Sequence, residues 1–234
     1  PSGADVFWVD PKCYGNSDGS VTINSVTGQS SQYRVTLQRY DGVVFGNLYQ
    51  QSYNISQFPL TIPFGLNAGR YKIIIANTDA GACFWEQEKI VGQPAELVAT
   101  LTGSSYNGYG VACNGYTNGW INLAVSGGTP GYTYNWSNGA TGTASISNLS
   151  AATYSVTVTD SKGCTKSPFY VINAPDPLTV SISTTKTPSC AESADGQLAA
   201  TPAGGVPGYS YLWSNNQTTA VAANLLKGSY SVNV

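Results

Sequence analysis

Five cysteines are the most reactive groups in this sequence: Cys13, Cys83, Cys113, Cys164 and Cys190. A cysteine can serve as a metal ligand, a nucleophile or half of a disulfide. A zinc site is not expected, because the chain has no CxxC pair and no histidine to complete a ligand set. The same lack of imidazole removes the usual base of a nucleophilic triad. No GxSxG, P-loop or HExxH pattern occurs. The 12 acidic residues are scattered. Glu86 and Glu88 share one strand face, as paired acids of a glycosidase would. They flank a segment with Lys89 that reads as an edge strand, and so as a solvated face. Asp79 and Asp160 each precede a cysteine by four residues. Calcium would call for a D-x-D-x-D-G loop, whereas an Asp placed this way most simply bonds its own turn. No catalytic residue, metal site or cofactor is therefore assigned, and the chain is not expected to be an enzyme.

Aromatic side chains offer a second kind of chemistry, stacking on sugar rings or on an apolar surface. Trp120 alternates with Ile121 and Leu123 and should point away from them. Tyr106, Tyr109 and Tyr116 lie near it, around a four-residue insertion in GSSYNGYG. A second group, Tyr40, Phe45, Tyr49 and Tyr53, decorates an inserted segment nearer the N-terminus. These are the candidate surface or glycan contacts; the alternative is packing between neighbouring domains or within the insert. Tyr132, Tyr134 and Trp136, with Tyr209, Tyr211 and Trp213, alternate with small polar residues and read as core.

The elements that position these groups are set by a repeat. The stretch GGTPGYTYNWSNG from Gly127 recurs 77 residues later, from Gly204-Gly205 through Pro207, Tyr209 and Tyr211 to Trp213. Cys13, Cys113 and Cys190 open three copies, each followed six residues on by Gly19, Gly119 or Gly196. A Leu-x4-Tyr step recurs at Leu66–Tyr71, Leu149–Tyr154 and Leu225–Tyr230. Alternating strands of about five to seven residues between Gly, Pro and Asn turns predict an all-β fold, an elongated array of tandem immunoglobulin-like β-sandwich repeats. The late Tyr resembles a tyrosine corner in role. Proline-rich joins, Pro94-Ala-Glu-Leu97 and Pro175-Asp-Pro-Leu178, place domains at 1–95, 96–175 and 176–234. The third copy stops at the residue matching Val158 and is expected to be incomplete. The first copy is diverged: Tyr33, Val35 and Leu37 replace the aromatic triplet. It also carries about 16 extra residues before Tyr71, and Asp41-Gly42 predicts a two-residue hairpin turn there.

Only 9% of residues are charged and the net charge is −2, without a basic tract, so nucleic acid is not an expected partner. No apolar run is long enough for a membrane span. A copy of about 77 residues has a small core, so the cysteines are expected to staple it, as Cys13–Cys83 and Cys113–Cys164, leaving Cys190 without a partner. A disulfide implies an oxidising compartment. Free thiols stay open as the alternative, because the first cysteine follows strand A and the second strand F, at opposite ends of a strict immunoglobulin order.

The combination Cys-x5-Gly, GGTPGYTYNWSNG and Leu-x4-Tyr-Ser-Val-Thr-Val-Thr-Asp-x3-Cys resembles the SprB-type repeat of very large surface adhesins of gliding Bacteroidota. The match is close from Leu97 to Val234 and looser before it. The resemblance implies export by the type IX secretion system, display at the outer membrane and movement by the gliding machinery. The expected function is non-catalytic attachment to an extracellular surface or polysaccharide. The alternative is a carbohydrate-binding or spacer region of a secreted multidomain enzyme.

Overall fold

Strand β1 (Gly3–Val9) opens the first of three serial sets of antiparallel strands. A computed structural model describes residues 1–78, 83–190 and 192–234. In the first set β1 pairs β2 (Ser20–Thr27), which pairs β5 (Leu60–Thr61). A second sheet runs in the order β4 (Phe45–Asn54), β3 (Gln32–Tyr40), β6 (Gly69–Asn77), β7 (Phe84–Val91). This is the immunoglobulin-like division, with strands one, two and five in one sheet and three, six and seven in the other. Alternation decides which side chains lie between the sheets. Val21 and Ile23 of β2 face Tyr33, Val35 and Leu37 of β3 and Tyr71, Ile73 and Ile75 of β6, all buried.

The inserted segment is the edge strand β4. Its hairpin with β3 is wider than the two-residue turn expected from Asp41-Gly42. Tyr40 pairs with Phe45, leaving Asp41 to Val44 as the loop. Asp41 Oδ1 accepts the N–H groups of Val43 and Val44, both at 2.9 Å, so the carboxylate builds a longer turn than the dipeptide alone would.

The same plan recurs twice. In the second set β8 (Val98–Gly103), β9 (Gly119–Ser126) and β11 (Ser145–Leu149) form one sheet. In the other, β12 (Ala152–Thr159) pairs with β10 (Thr133–Trp136), β13 (Thr165–Lys166) and β14 (Phe169–Ile172). In the third set β15 (Thr179–Lys186), β16 (Gly196–Ala203) and β18 (Val221–Leu225) form one sheet. Strands β17 (Leu212–Trp213) and β19 (Val232–Asn233) form the other. Each sheet draws its strands from a single set.

Trp136 and Trp213 fill the centres as expected, 2% and 1% exposed. Their indole N–H groups donate to the carbonyls of Thr143 and Thr219 at 2.9 and 2.8 Å. The four tyrosines of the triplets are half-buried, so only the tryptophan of each triplet is fully core. Tyr132 and Tyr209 precede their strands, and their hydroxyls are drawn back onto the carbonyls of Gly127 and Gly204, at 2.6 and 2.5 Å. The corner tyrosine is present in all three sets. Tyr71, Tyr154 and Tyr230 donate to the carbonyls of Asn67, Ser150 and Leu226, four residues back, at 3.0, 3.2 and 3.1 Å.

By density of packing the chain forms two compact units. The first holds Pro1–Ala99, Val125–Tyr134 and Thr157–Ser167; the second holds Thr100–Ala124, Asn135–Val156 and Pro168–Val234. The first unit thus contains the whole first sandwich and two turns of the second repeat. Among the described residues no helix is long and apolar enough to cross a membrane.

Candidate functional site

In the first unit Cys13 is bonded to Cys164, across 151 residues. This corrects the expected pairs Cys13–Cys83 and Cys113–Cys164. Cys83, Cys113 and Cys190 are exposed free thiols. The reason lies in the topology. Val9 pairs with Ser20 at the start of β2 beside Cys13, whereas Asn77, ahead of Cys83, pairs with Tyr33 at the start of β3, which follows the far end of β2. Strand β2 has eight residues, so the two cysteines sit about 25 Å apart, far beyond the reach of a disulfide. The chain leaves β7 at the Cys13 end and enters the second repeat there, which brings the turn carrying Cys164 alongside.

Two glycine turns seat the join. Gly128 N donates to Ala95 O at 2.9 Å. A Cβ on Gly127 would stand 1.8 Å from Glu96 O, so only glycine allows the linker to lie there. Asp160 locks the neighbouring turn. Its carboxylate accepts the N–H groups of Thr129 at 2.8 Å and of Lys162 and Cys164 at 2.9 Å each. Burial pushes its pKa up, but these backbone donors outweigh burial and hold it below the ordinary value. Asp160 therefore serves its turn, the structural use expected for it. Asp79 lies outside the described residues. Beside the disulfide is a cleft of about 390 Å³ lined by Tyr14, Asn16, Glu96, Leu97, Thr165 and Lys166. Lys166 and Glu96 pair across it at 3.3 Å, both exposed.

The two aromatic groups differ in character. In the second unit Trp120 is 38% exposed on β9, facing away from buried Ile121, as alternation predicts. Tyr116 is 55% exposed, and Tyr106 and Tyr109 are half-buried. Tyr106 and Tyr109 exchange backbone hydrogen bonds around Asn107-Gly108, both at positive φ, which makes the insertion a tight hairpin. Its base is fixed by buried Ser104, whose hydroxyl donates to Gly110 O at 2.6 Å and accepts the N–H of Trp120 at 3.1 Å. Tyr106 reaches over to donate to Asn118 O at 3.1 Å.

In the first unit Tyr40 and Phe45 meet with ring centroids 5.3 Å apart. The Arg70 guanidinium lies 5.4 and 5.5 Å from their centroids, and Lys72 Nζ lies 4.9 Å from that of Phe45. Glu88 then accepts from Arg70 Nε at 3.0 Å and pairs with Lys72 at 3.1 Å. Glu86 also pairs with Lys72, at 3.5 Å. The two acids thus belong to a solvated ion-pair ladder on the edge strand β7. Tyr49 does not face outward. It packs beside the core against Phe64, and its hydroxyl bonds that of buried Tyr53. Burial first, and then the Tyr53 hydroxyl, push the Tyr49 phenol up to about 12. The exposed apolar groups of this hairpin are instead Val43, Val44 and Leu48, which sequence reasoning passed over.

Sequence reasoning also missed the residue that fixes each cysteine turn. Five residues after Cys13, Cys113 and Cys190 stand Asp18, Asn118 and Asp195. Their side-chain oxygens accept the N–H of the residue before the cysteine, at 3.1, 3.1 and 2.9 Å. An Asx–Gly dipeptide at fixed offset from each cysteine was the available signal.

The sheets define tandem immunoglobulin-like sandwiches. The family model described as SprB repeat matches the chain at three places, residues 7–34, 111–141 and 182–218. No curated protein matches the chain. Among solved structures it is similar to the amphioxus IgVJ-C2 molecule, at 16% identity over 73% of this chain and 96% of that one, with a TM-score of 0.26. It is also similar to Dpr2 Ig1-Ig2 in complex with DIP-Theta Ig1-Ig3, at 14% identity over 92% and 81%, with a TM-score of 0.28. The fold assignment rests on the strand orders above and not on these likenesses.

Proposed function

We propose that this chain is a non-catalytic repeat segment of a large secreted cell-surface adhesin of a gliding bacterium, with repeats divided near residues 95 and 175. The observation that supports this most directly is the recurrence of the SprB repeat in three serial sandwiches. Side chains with acid–base chemistry are engaged in structure: Asp160 in its turn, Glu86 and Glu88 with Lys72. Under this reading the segment is extracellular and attached to the outer membrane through the rest of its parent, which the gliding machinery moves. Its partner is an extracellular surface or polysaccharide. Many weak contacts along such a protein sum through effective concentration.

The contact face under this reading is the one that carries Trp120 and Tyr116, the most exposed of the candidate rings. Tyr40 and Phe45 are covered by cations and Tyr49 is turned inward. Retention of the purified chain on agar, glass and immobilised polysaccharides tests the reading. Binding that falls with Trp120→Ala supports it, and absence of retention on every surface makes the segment a spacer. Hydrolysis of a polysaccharide by the purified chain would overturn the non-catalytic assignment.

A further inference from the structure

The disulfide found here joins two consecutive repeats, from the turn between the first and second strands of one to the turn between the fifth strand, β12, and the next of its successor. We propose that this bond is one link of a serial covalent ladder, in which Cys113 is built to pair with the late cysteine of the third repeat, at the position that corresponds to Cys164.

The three cysteine turns are the same structure. The carbonyls of Cys13, Cys113 and Cys190 accept the N–H of the residue three further on, at 3.2, 3.1 and 3.1 Å. The Asx side chain five residues on closes each turn from the other side. A shared turn alone would not specify a partner; the joins do. In the first unit the Cys13 turn is tied to the linker by Gly15 N donating to Gln93 Oε1 at 2.9 Å. In the second unit Asn114 Nδ2 donates to Pro175 O at 3.1 Å. On the receiving side Gly128 N bonds Ala95 O at 2.9 Å, and Gly205 N bonds Asp176 O at 2.8 Å. A Cβ on Gly204 would stand 2.1 Å from Pro177 O, the counterpart of the Gly127 approach to Glu96. Leu97 lies against Gly128 and Leu178 against Gly205 at nearly equal distances, 3.1 and 3.2 Å from the Cβ position. Both linkers are thus held on the receiving side by equivalent groups, and each is tied to its cysteine turn by a hydrogen bond of its own. At the first join those groups bring a late-turn cysteine onto Cys13. At the second join Cys113 is exposed and unbonded; in the repeat register Val234 matches Val158, which puts the counterpart of Cys164 six residues further on.

Each link forms when two thiols lose two protons and two electrons to a disulfide oxidant. With oxidised glutathione one S–S bond is made in the protein, the S–S bond of glutathione breaks, and two reduced glutathiones leave. A ladder of this kind fixes each repeat to the next and leaves the inside of each sandwich without a staple. The proposal concerns connectivity and stands whatever surface the array contacts.

The test begins with the chain as it is. Peptide mapping of the unreduced, alkylated protein is expected to show Cys13–Cys164, with Cys83, Cys113 and Cys190 alkylated. A Cys113–Cys164 or Cys13–Cys83 bond overturns the proposal. The chain is then extended past Val234 by a copy of residues 159–173, which places a cysteine six residues on, and is oxidised with glutathione. The new cysteine is expected to bond Cys113, so that free thiols fall from three to two, and Cys113→Ser in the extended chain is expected to leave the new thiol free. A bond from the new cysteine to Cys190, or a free new thiol beside a free Cys113, overturns it.

Discussion

The Tyr71 hydroxyl reaches back four residues to Asn67, with the backbone carbonyl at 3.0 Å and the side-chain carbonyl at 2.7 Å. The ring itself is buried between the sheets, so the bond pins the entry to β6 from inside the core. Tyr71→Phe keeps the ring and removes the bond. It is expected to cost about 1 kcal/mol, the usual net worth of such a hydrogen bond. Tyr33 supplies the contrast, because its buried hydroxyl has no hydrogen-bond partner among the described residues. Tyr33→Phe is expected to be neutral or stabilising. Urea midpoints of the two variants against the parent check the pair, and equal losses would contradict it.

Much of this core was legible beforehand because two physical signals agreed. Alternation marked Val35, Leu37, Ile121 and Trp136 as inward, and all four are buried. The fixed Leu-to-Tyr interval marked the corner at Tyr71, Tyr154 and Tyr230. Cysteine pairing was legible only in part: strand order set the two cysteines of a copy at opposite ends, against a bond within the repeat, but nothing in the intervals pointed to the turn of the next repeat. Tyr49 follows the other reading offered for this group, packing within the insert. On an edge strand alternation gives a side, but packing against Phe64 and Tyr53 turns the ring under the loop. Arg70 and Lys72 escaped notice because cation–π contacts across strands leave no local pattern.

The glycine turns allow a comparison that separates backbone strain from steric exclusion. Gly127 and Gly139 both have positive φ, +69° and +87°. An added methyl at Gly139 meets nothing within 4 Å, whereas at Gly127 it meets Glu96 O at 1.8 Å. Gly139→Ala should therefore cost only the left-handed backbone penalty, about 1–2 kcal/mol. Gly127→Ala should cost clearly more and loosen the join, seen as faster reduction of Cys13–Cys164 by dithiothreitol. If both variants lose the same stability and keep the parent's reduction rate, the seating of the linker is not what Gly127 provides.

Asp195 gives the third repeat an acid-sensitive turn. The Ser189 N–H, and then Lys186, hold its pKa down at about 2. A carboxylate whose pKa is lowered on folding stabilises the fold above its unfolded value, near 4, and that contribution fades as pH falls from about 4 to about 2. In the second repeat Asn118 makes the same bond without a charge. Asp195→Asn should thus flatten the acid dependence of the third repeat between pH 4 and 2 while preserving the turn. Amide hydrogen exchange at Ser189 across that range measures it, and an unchanged pH profile would remove Asp195 from the account.

The two tryptophans of the second repeat should part stability from contact. Trp136 is 2% exposed, and its indole satisfies Thr143 O. Trp136→Ala opens a cavity and strands that carbonyl, and is expected to cost about 3–5 kcal/mol, a large part of a domain's total stability of about 5–15 kcal/mol. Trp120 is 38% exposed, and its backbone, not its ring, makes the bonds to Ser104. Trp120→Ala should shift the thermal midpoint little, while retention on the best-binding surface falls several-fold if the ring is a contact. Thermal melts and retention assays on the same preparations decide between the roles. Loss of stability with Trp120→Ala would make the ring a packing element, and full retention with an unchanged melt would move the contact elsewhere on the chain.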